Sequence, residues 1–435
     1  MSPESLLTLA NSIRDNAVKL NDFLSSNGHP SSSFNPGAPR IIPPFSPPEV
    51  QDARSALISG ARTLIDLALG PVGVLEDLNA NYVLCMQVVH RYRIAQCFPP
   101  SETISFDELS RRCGLNLIDL KRVLRLLMTR HVFSETERDF VAHTAATALL
   151  HDDASIRAYS GIICEERFPA SARTVDALVK YGGSHAPNQS GFSLANNTLC
   201  GLYAELQRHP ARQKRWNLAM SAIAAQVNID FILDNVPFSS LAPGSLFVDV
   251  GGGNGMLSLA LAERLPYIRF LVQDVVVAPG PANQDNPSQC LQGNEKATNG
   301  NTNGDPKRVA WQTHDFFAIQ DALADIYYFR NVFHNWPDAQ CVQILRGHIP
   351  VLRRRMARLI IDDFALHEPL TVGPFEERRA RSMDITMLAY FGSHERTIEQ
   401  WRTLLAQADP GFRLEKVTED PKQPNTLLQV VFSEE

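Results

Sequence analysis

The chain has 435 residues, 44% of them hydrophobic and 20% charged, with a formal net charge of −6 and a pI near 6.1. That length accommodates two or three domains of about 100–200 residues each. The acidic balance argues against a surface built to track nucleic acid, and no run approaches the ~18 apolar residues that span a bilayer.

At the start, Leu6, Leu9, Ile13, Ala17, Leu20 and Leu24 recur every three or four residues, which predicts an amphipathic helix rather than a signal peptide. Residues 25–48 are rich in proline and serine and read as a linker or an extended arm. Helical patterns resume over 48–69 and, after Gly70-Pro71, over 72–96. The second of these is apolar on more than one face, so burial is expected in a core or at a subunit interface.

Residues 105–143 form a recognisable unit: a short helix over 106–112, a turn at Cys113-Gly114-Leu115, a second helix over 117–129 and a hairpin with a charged tip at 135–139. This is the pattern of a winged helix-turn-helix. Lys121, Arg122, Arg125 and Arg130 would suit DNA binding. The acidic whole and the enzyme-like second half favour instead a module that packs on another subunit or on a catalytic domain. Residues 155–240 read as a helical connector, with breaks at Gly182-Gly183 and over 187–191.

From Leu246 onward strands and helices alternate: strand 246–250, helix 256–265, strands 268–273, 308–312 and 325–329, helix 338–353, strand 357–362, helix 396–408, and strands 412–418 and 426–432. Such alternation predicts a mostly parallel sheet with helices on both faces, here with an antiparallel edge. Residues 277–307, rich in Asn, Gly, Pro, Gln and Asp, interrupt it and read as a mobile insertion.

The first strand runs into Gly251-Gly252-Gly253-Asn254-Gly255. Bare glycines let a ligand approach backbone N–H groups, and the following helix presents its N-terminus to the same spot. A dinucleotide fingerprint needs glycine at the sixth position, where Met256 stands, and no Gly-Lys-Ser/Thr element is present. Asp274, ending the second strand, is placed to bind both ribose hydroxyls. The combination points to S-adenosylmethionine (SAM). Later strands end in further polar clusters: His314-Asp315-Phe316, where an acid and an aromatic suit an adenine; Arg330 and His334; Asp362-Asp363; and Glu395 before a helix. The seven cysteines are scattered without C-x-x-C pairs, which implies reduced thiols, no zinc site and the cytoplasm.

From about residue 48 onward the chain resembles the plant and fungal small-molecule O-methyltransferases of the caffeic-acid and sterigmatocystin type. The shared runs are V-D-V-G-G-G-N-G, Q-D at 273–274, H-D-F at 314–316, F-R-N-V-F-H-N-W at 329–336 and H-E-R-T at 394–397. The resemblance implies an α/β fold: a Rossmann-like SAM domain over 241–435 behind an all-helical, winged-helix dimerisation domain over 48–154. It also implies a homodimer acting on an aromatic or polyketide-type hydroxyl, with no metal, nucleic-acid or membrane partner. The family's SAM contacts fall on Gly251, Gly253, Asp274, Asp315, Phe316 and Arg330, the last a lysine in most plant members. Its general base falls on His334, and the flanking acids on Asp363 and Glu395. Met220, Met387 and Tyr390 are expected to shape the acceptor pocket. Asn335 replaces the family's usual Asp, and Asp363 stands where plant relatives often have Glu.

The chemistry fits those roles. Methyl transfer is an in-line displacement, so most of the help comes from alignment. A phenol of pKa about 10 facing an ordinary histidine near 6.5 would be deprotonated in advance only at roughly 5 kcal/mol. The base should therefore take the proton as the methyl moves, with a carboxylate on its far nitrogen. Two other functions share this fold pattern: a SAM-binding enzyme of non-methylating chemistry, such as a pericyclase or dehydratase, and a winged-helix DNA-binding regulator.

Overall fold

A computed structural model describes residues 5–39, 46–183, 186–224, 227–275, 308–420 and 425–433. The insertion expected over 277–307 lies outside the described residues. The chain divides into two compact units, one of 1–176, 191–222 and 369–379, the other of 177–190, 223–368 and 380–435.

The first unit begins with α1 (Leu6–Ser26), started by the Ser5 hydroxyl accepting the Thr8 N–H. It packs on the kinked helix α2 (Pro48–Glu76) where Gly60 admits Ile13; a Cβ there would lie 3.1 Å from Ile13 Cγ1. Gly70, at φ +68°, makes the kink. Leu69 just before it and Val72, Leu75 and Leu78 beyond it are exposed, and the chain leaves the helix before α3 (Asn81–Arg91). This differs from the single buried helix expected over 72–96: an all-round apolar pattern does not say which face the monomer itself covers. Among the described residues α2 is the one helix long and apolar enough, by length and composition alone, to cross a bilayer.

The winged module consists of β1 (Thr103–Ser105), α4 (Phe106–Cys113), α5 (Leu117–Met128), β2 (Ser134–Glu137) and β3 (Phe140–Ala142), its antiparallel sheet ordered β1-β3-β2. Ser105 and Asn116 cap the two helices, and Gly114 ends α4 in the left-handed conformation. Phe106, Leu109, Leu120, Leu124, Leu127, Phe133 and Val141 fill its core. The cations of α5 turn toward the wing: Lys121 pairs with Asp139 at 2.7 Å, and Arg125 grips Glu135 through two bonds of 2.8 and 2.9 Å. Further helices are α6 (Ala145–Asp152), α7 (Ala154–Ile162), α8 (Phe168–Tyr181), α9 (Gly191–Ala195), α10 (Leu202–Gln207) and α11 (Pro210–Ala224), with a π-helical turn over Ile163–Arg167.

The second unit is built on a sheet of β4 (Leu246–Val250), β5 (Arg269–Asp274), β6 (Val309–Thr313), β7 (Ile326–Arg330), β8 (Arg358–Leu366), β9 (Arg396–Thr397), β10 (Phe412–Glu419) and β11 (Asn425–Phe432). The order is β10-β11-β8-β7-β4-β5-β6, with β9 pairing only β8. Strands β4 to β8 run parallel, and β11 and β10 form the expected antiparallel edge. Side chains alternate between faces at the period of two that a strand imposes. Val248, Phe329 and Ile361 meet α14 (Asp338–Arg354) and α16 (Ile398–Ala408) on one face. Phe247, Tyr328 and Ile360 meet α12 (Ile229–Asn235) and α13 (Met256–Arg264) on the other. Helix α15 (Pro374–Phe391), unexpected from the sequence, begins with a proline and charged first turns that mask its apolar end. The strand order reverses between β4 and β7, so a ligand crevice opens at their carboxyl ends.

Candidate active site

At the end of β4 the chain turns through Gly251, Gly253 and Gly255 with φ of +73°, +58° and +75°. The backbone carbonyl of Gln273 on β5 accepts N–H bonds from Gly251 (2.8 Å) and Gly252 (3.2 Å), pinning the turn to the neighbouring strand. Side chains are excluded on two sides. A Cβ on Gly251 would lie 2.9 Å from Val332 Cγ2 and 3.7 Å from Phe316 Cε1, and one on Gly252 would lie 2.5 Å from the Asp249 carboxyl carbon. Asp249, beneath the turn, accepts the Ser258 hydroxyl at 2.8 Å; burial pushes its pKa up to about 6. At Gly253 the space is open, and its N–H donates to Asp274 Oδ2 at 3.0 Å. Gly251, Gly253, Asp274 and Phe316 thus come together around one stretch of bare backbone.

Two expected cofactor residues play additional roles. Asp315 is exposed, and its Oδ1 accepts the Phe317 N–H at 3.0 Å while its carbonyl accepts that of Ala318 at 2.8 Å, forming the turn that presents Phe316. Arg330, at the end of β7, pairs with Asp362, which also accepts the Tyr328 hydroxyl at 2.6 Å and the Asn425 amide at 3.0 Å.

His334 follows β7 on the tight turn Phe333–Asn335 and is 8% exposed. Its Nδ1 lies 2.9 Å from Glu395 Oε1 and 3.5 Å from Asp363 Oδ1, and its backbone N–H donates to Asp363 Oδ2 at 3.0 Å. With Nδ1 turned to both carboxylates, Nε2 is the nitrogen left to meet a substrate. The Phe364 ring lies parallel to the imidazole at 5.9 Å. Burial alone would disfavour the imidazolium, but the Asp363 and Glu395 carboxylates outweigh it and hold the His334 pKa at about 9. Asp363 is itself raised, by burial first and then by the neighbouring Glu395. Glu395 Oε2 is buried without a hydrogen-bond partner.

Sequence reasoning missed several supports of this centre. The Ser393 hydroxyl donates to the His334 carbonyl at 2.6 Å, and Asp384, on α15, accepts the Glu395 N–H at 2.9 Å. Asn335 donates to the Asn331 carbonyl at 2.8 Å, and Asn331 is held at φ +51° with its own side chain bonded by Asn425 at 2.9 Å. An aspartate at 335 could not donate that bond, so the amide braces the turn that carries His334. Asn335 stood inside a run already singled out and Ser393 immediately before another; Asp384 and Asn425 carried no signal in the chain. Of the three expected pocket residues, Met387 and Tyr390 are buried near the end of α15 in the second unit, whereas Met220 lies on α11 in the first.

Known proteins of one family resemble this chain over most of its length. The O-methyltransferase domain family matches residues 184–413. The grayanic acid biosynthesis cluster O-methyltransferase of Cladonia grayi is 33% identical over 409 residues, covering 93% of this chain and 83% of its own. O-methyltransferase pgmB of Aspergillus terreus is 31% identical over 433 residues, covering 98% and 95%. The chain belongs to the O-methyltransferase family. It is a SAM-dependent O-methyltransferase, and the family needs no metal. A chlorophenol O-methyltransferase of Trichoderma longibrachiatum is a further relative, 31% identical over 441 residues, covering 99% of this chain and 90% of its own. Among solved structures, OxaC in complex with SAH and oxaline superposes with a TM-score of 0.73 at 21% identity, covering 98% of this chain and all of its own. LepI in complex with SAM does so at 0.68 and 19%, with the same coverage. At those identities the likeness concerns the fold.

Proposed function

We propose that this O-methyltransferase methylates a hydroxyl of an aromatic or polyketide-type secondary metabolite, with His334 as general base. The observation that carries this reading is the 2.9 Å bond from His334 Nδ1 to Glu395, backed by Asp363. It fixes the tautomer that offers Nε2 to an acceptor hydroxyl. The same carboxylates strengthen the base. Near 9, its pKa lies about one unit below a phenol's, so proton transfer is close to balanced where an ordinary histidine would face roughly 5 kcal/mol.

SAM, when bound, supplies the methyl group as an electrophile. Gly251 and Gly253 offer backbone approach, Asp274 the acceptor for ribose hydroxyls, and Phe316 with Asp315 a platform and polar edge for adenine. The open space at Gly253 and the exclusion of any side chain at Gly251 support this fit. Arg330 completes the set, its guanidinium held in place by Asp362. His334 would take the acceptor hydroxyl's proton on Nε2, and Asp363 and Glu395 would balance the resulting imidazolium. Met387 and Tyr390, both on the stretch of α15 in the second unit, are assigned to the acceptor pocket, and their apolar surfaces suit a planar ring. Relatives named for chlorophenol and for a grayanic acid cluster support an aromatic acceptor.

The exposed apolar residues of α2 support a homodimer formed through the first unit, and the six described cysteines, all unpaired, support a cytoplasmic site of action. The commitment of Lys121 and Arg125 to the wing weighs against the DNA-binding alternative.

Incubation with SAM and a panel of phenols and aromatic polyketides, in the presence of a chelator, tests the reading. Equal amounts of S-adenosylhomocysteine (SAH) and methylated product are expected. Conversion of an acceptor without SAH release would favour pericyclic or dehydrating chemistry; a pericyclic reaction enzyme shares this fold at 18% identity and a TM-score of 0.68.

A further inference from the structure

Behind the cofactor residues lies a cluster of buried polar side chains that the methyl-transfer chemistry does not use. Gln273 and Gln320 are each 1% exposed, and His348 is fully buried. The two glutamines pair reciprocally: Gln273 Nε2 donates to Gln320 Oε1 at 3.1 Å, and Gln320 Nε2 donates to Gln273 Oε1 at 2.8 Å. Gln273 Nε2 also donates to Gln312 Oε1 at 2.7 Å. Gln320 Oε1 further accepts the N–H groups of Asp321 and Ala322, both at 3.1 Å. His348 donates from Nδ1 to the Ile344 carbonyl at 2.9 Å, which leaves Nε2 to accept from Gln320 Nε2 at 3.4 Å. Burial keeps that imidazole neutral, its pKa lowered to about 4.

The position of this cluster matters more than its stability. Gln273 precedes Asp274, and its backbone carbonyl holds the N–H groups of Gly251 and Gly252. Gln320 closes the loop that carries Asp315 and Phe316, and its N–H donates to the Gly347 carbonyl at 3.0 Å on α14. Gly347 lets that loop seat closely, since a Cβ there would lie 2.8 Å from the Ala318 carbonyl oxygen. One pair of amides therefore joins the glycine turn and the ribose-binding strand end to the loop beneath the adenine platform. Buried amides lose heavily when unpaired, so the pair holds one arrangement and penalises a shifted one.

We infer that Gln273 and Gln320 are positioning residues for SAM, which set Phe316 and Asp315 in register with Gly251 and Asp274 without touching the cofactor themselves. The inference rests on the cofactor residues assigned above, so the test includes Asp274→Asn. SAH dissociation constants are measured by titration calorimetry for wild type, Asp274→Asn, Gln320→Leu and Gln320→Glu, together with kcat at saturating SAM and the acceptor KM. Gln320→Leu, which takes a partner from three donors and two acceptors, is expected to weaken SAH binding by about tenfold or more. Gln320→Glu keeps the acceptor but sets a buried carboxylate oxygen against Gln273 Oε1 and His348 Nε2, so a loss of about tenfold is likewise expected, and it serves if the leucine variant does not fold. In both, kcat and the acceptor KM should stay within about twofold of wild type, a split that a general loss of core packing would not produce. If Asp274→Asn weakens SAH binding while the glutamate variant, and the leucine variant where it folds, bind within twofold of wild type, the pair only braces the core and the inference fails. If Asp274→Asn has no effect, the cofactor assignment fails and the inference with it.

Discussion

His334 sits between two demands set by its neighbours. The carboxylates of Asp363 and Glu395 make its neutral form a strong base, and they also keep the ring protonated at rest below about pH 9. Only the neutral ring can take a proton, so kcat/KM should rise with pH along an acid limb. Glu395→Gln removes one of the two charges that raise the pKa, so that limb should move to lower pH, with a lower plateau because the weaker base matches a phenol less well. A pH-rate profile checks this, and a limb that stays in place would show that another group controls it. Stability should respond to the same ring. With a folded pKa of about 9 above an unfolded value near 6.5, the stabilisation is complete below about pH 6.5 and is lost as pH rises toward 9. Thermal melts of the ligand-free enzyme should show that decline, and His334→Gln should flatten it.

Among the elements, the glycine turn makes the sharpest demand on sequence. Gly251 combines a φ of +73° with a Cβ position 2.9 Å from Val332. Gly251→Ala should cost about 1–2 kcal/mol from the backbone alone, and should weaken SAH binding by about tenfold or more as Val332 or the turn gives way. Calorimetry and thermal melting read the two effects separately. This turn was legible in the chain because glycine spacing reports a backbone requirement directly. The strands of the catalytic unit were legible too, because β4, β7 and β8 are apolar on both faces and bounded by polar tips. Helix α15 was not: five of the ten residues over 374–383 are charged, which masks the amphipathic periodicity until Met387, Tyr390 and Phe391. The partners of His334 were readable only as separate motifs. Their union depends on β8 pairing with both β7 and β9, a long-range fact that no local pattern contains. The glutamine pair was invisible for the same reason, since 47 positions separate its members.

At the scale of the molecule, the apolar residues beyond the α2 kink stay exposed in a lone chain. Leu75 and Leu78 are 71% and 78% exposed, and burying such side chains against a second copy would stabilise each by roughly 1.5–3 kcal/mol. Val72→Asp with Leu75→Asp should convert a dimer to monomer, read by light scattering after size exclusion; a wild-type protein that is monomeric at micromolar concentration would refute the proposed assembly. The proposed catalysis divides its labour between a glycine-lined cofactor cradle and a carboxylate-backed histidine. The direct test is to compare His334→Ala with wild type in single-turnover methyl transfer and in SAH binding. A rate lower by about 10²–10⁴-fold is expected, with SAH affinity unchanged within about twofold. A variant that transfers methyl at nearly the wild-type rate would contradict the role of His334 as general base.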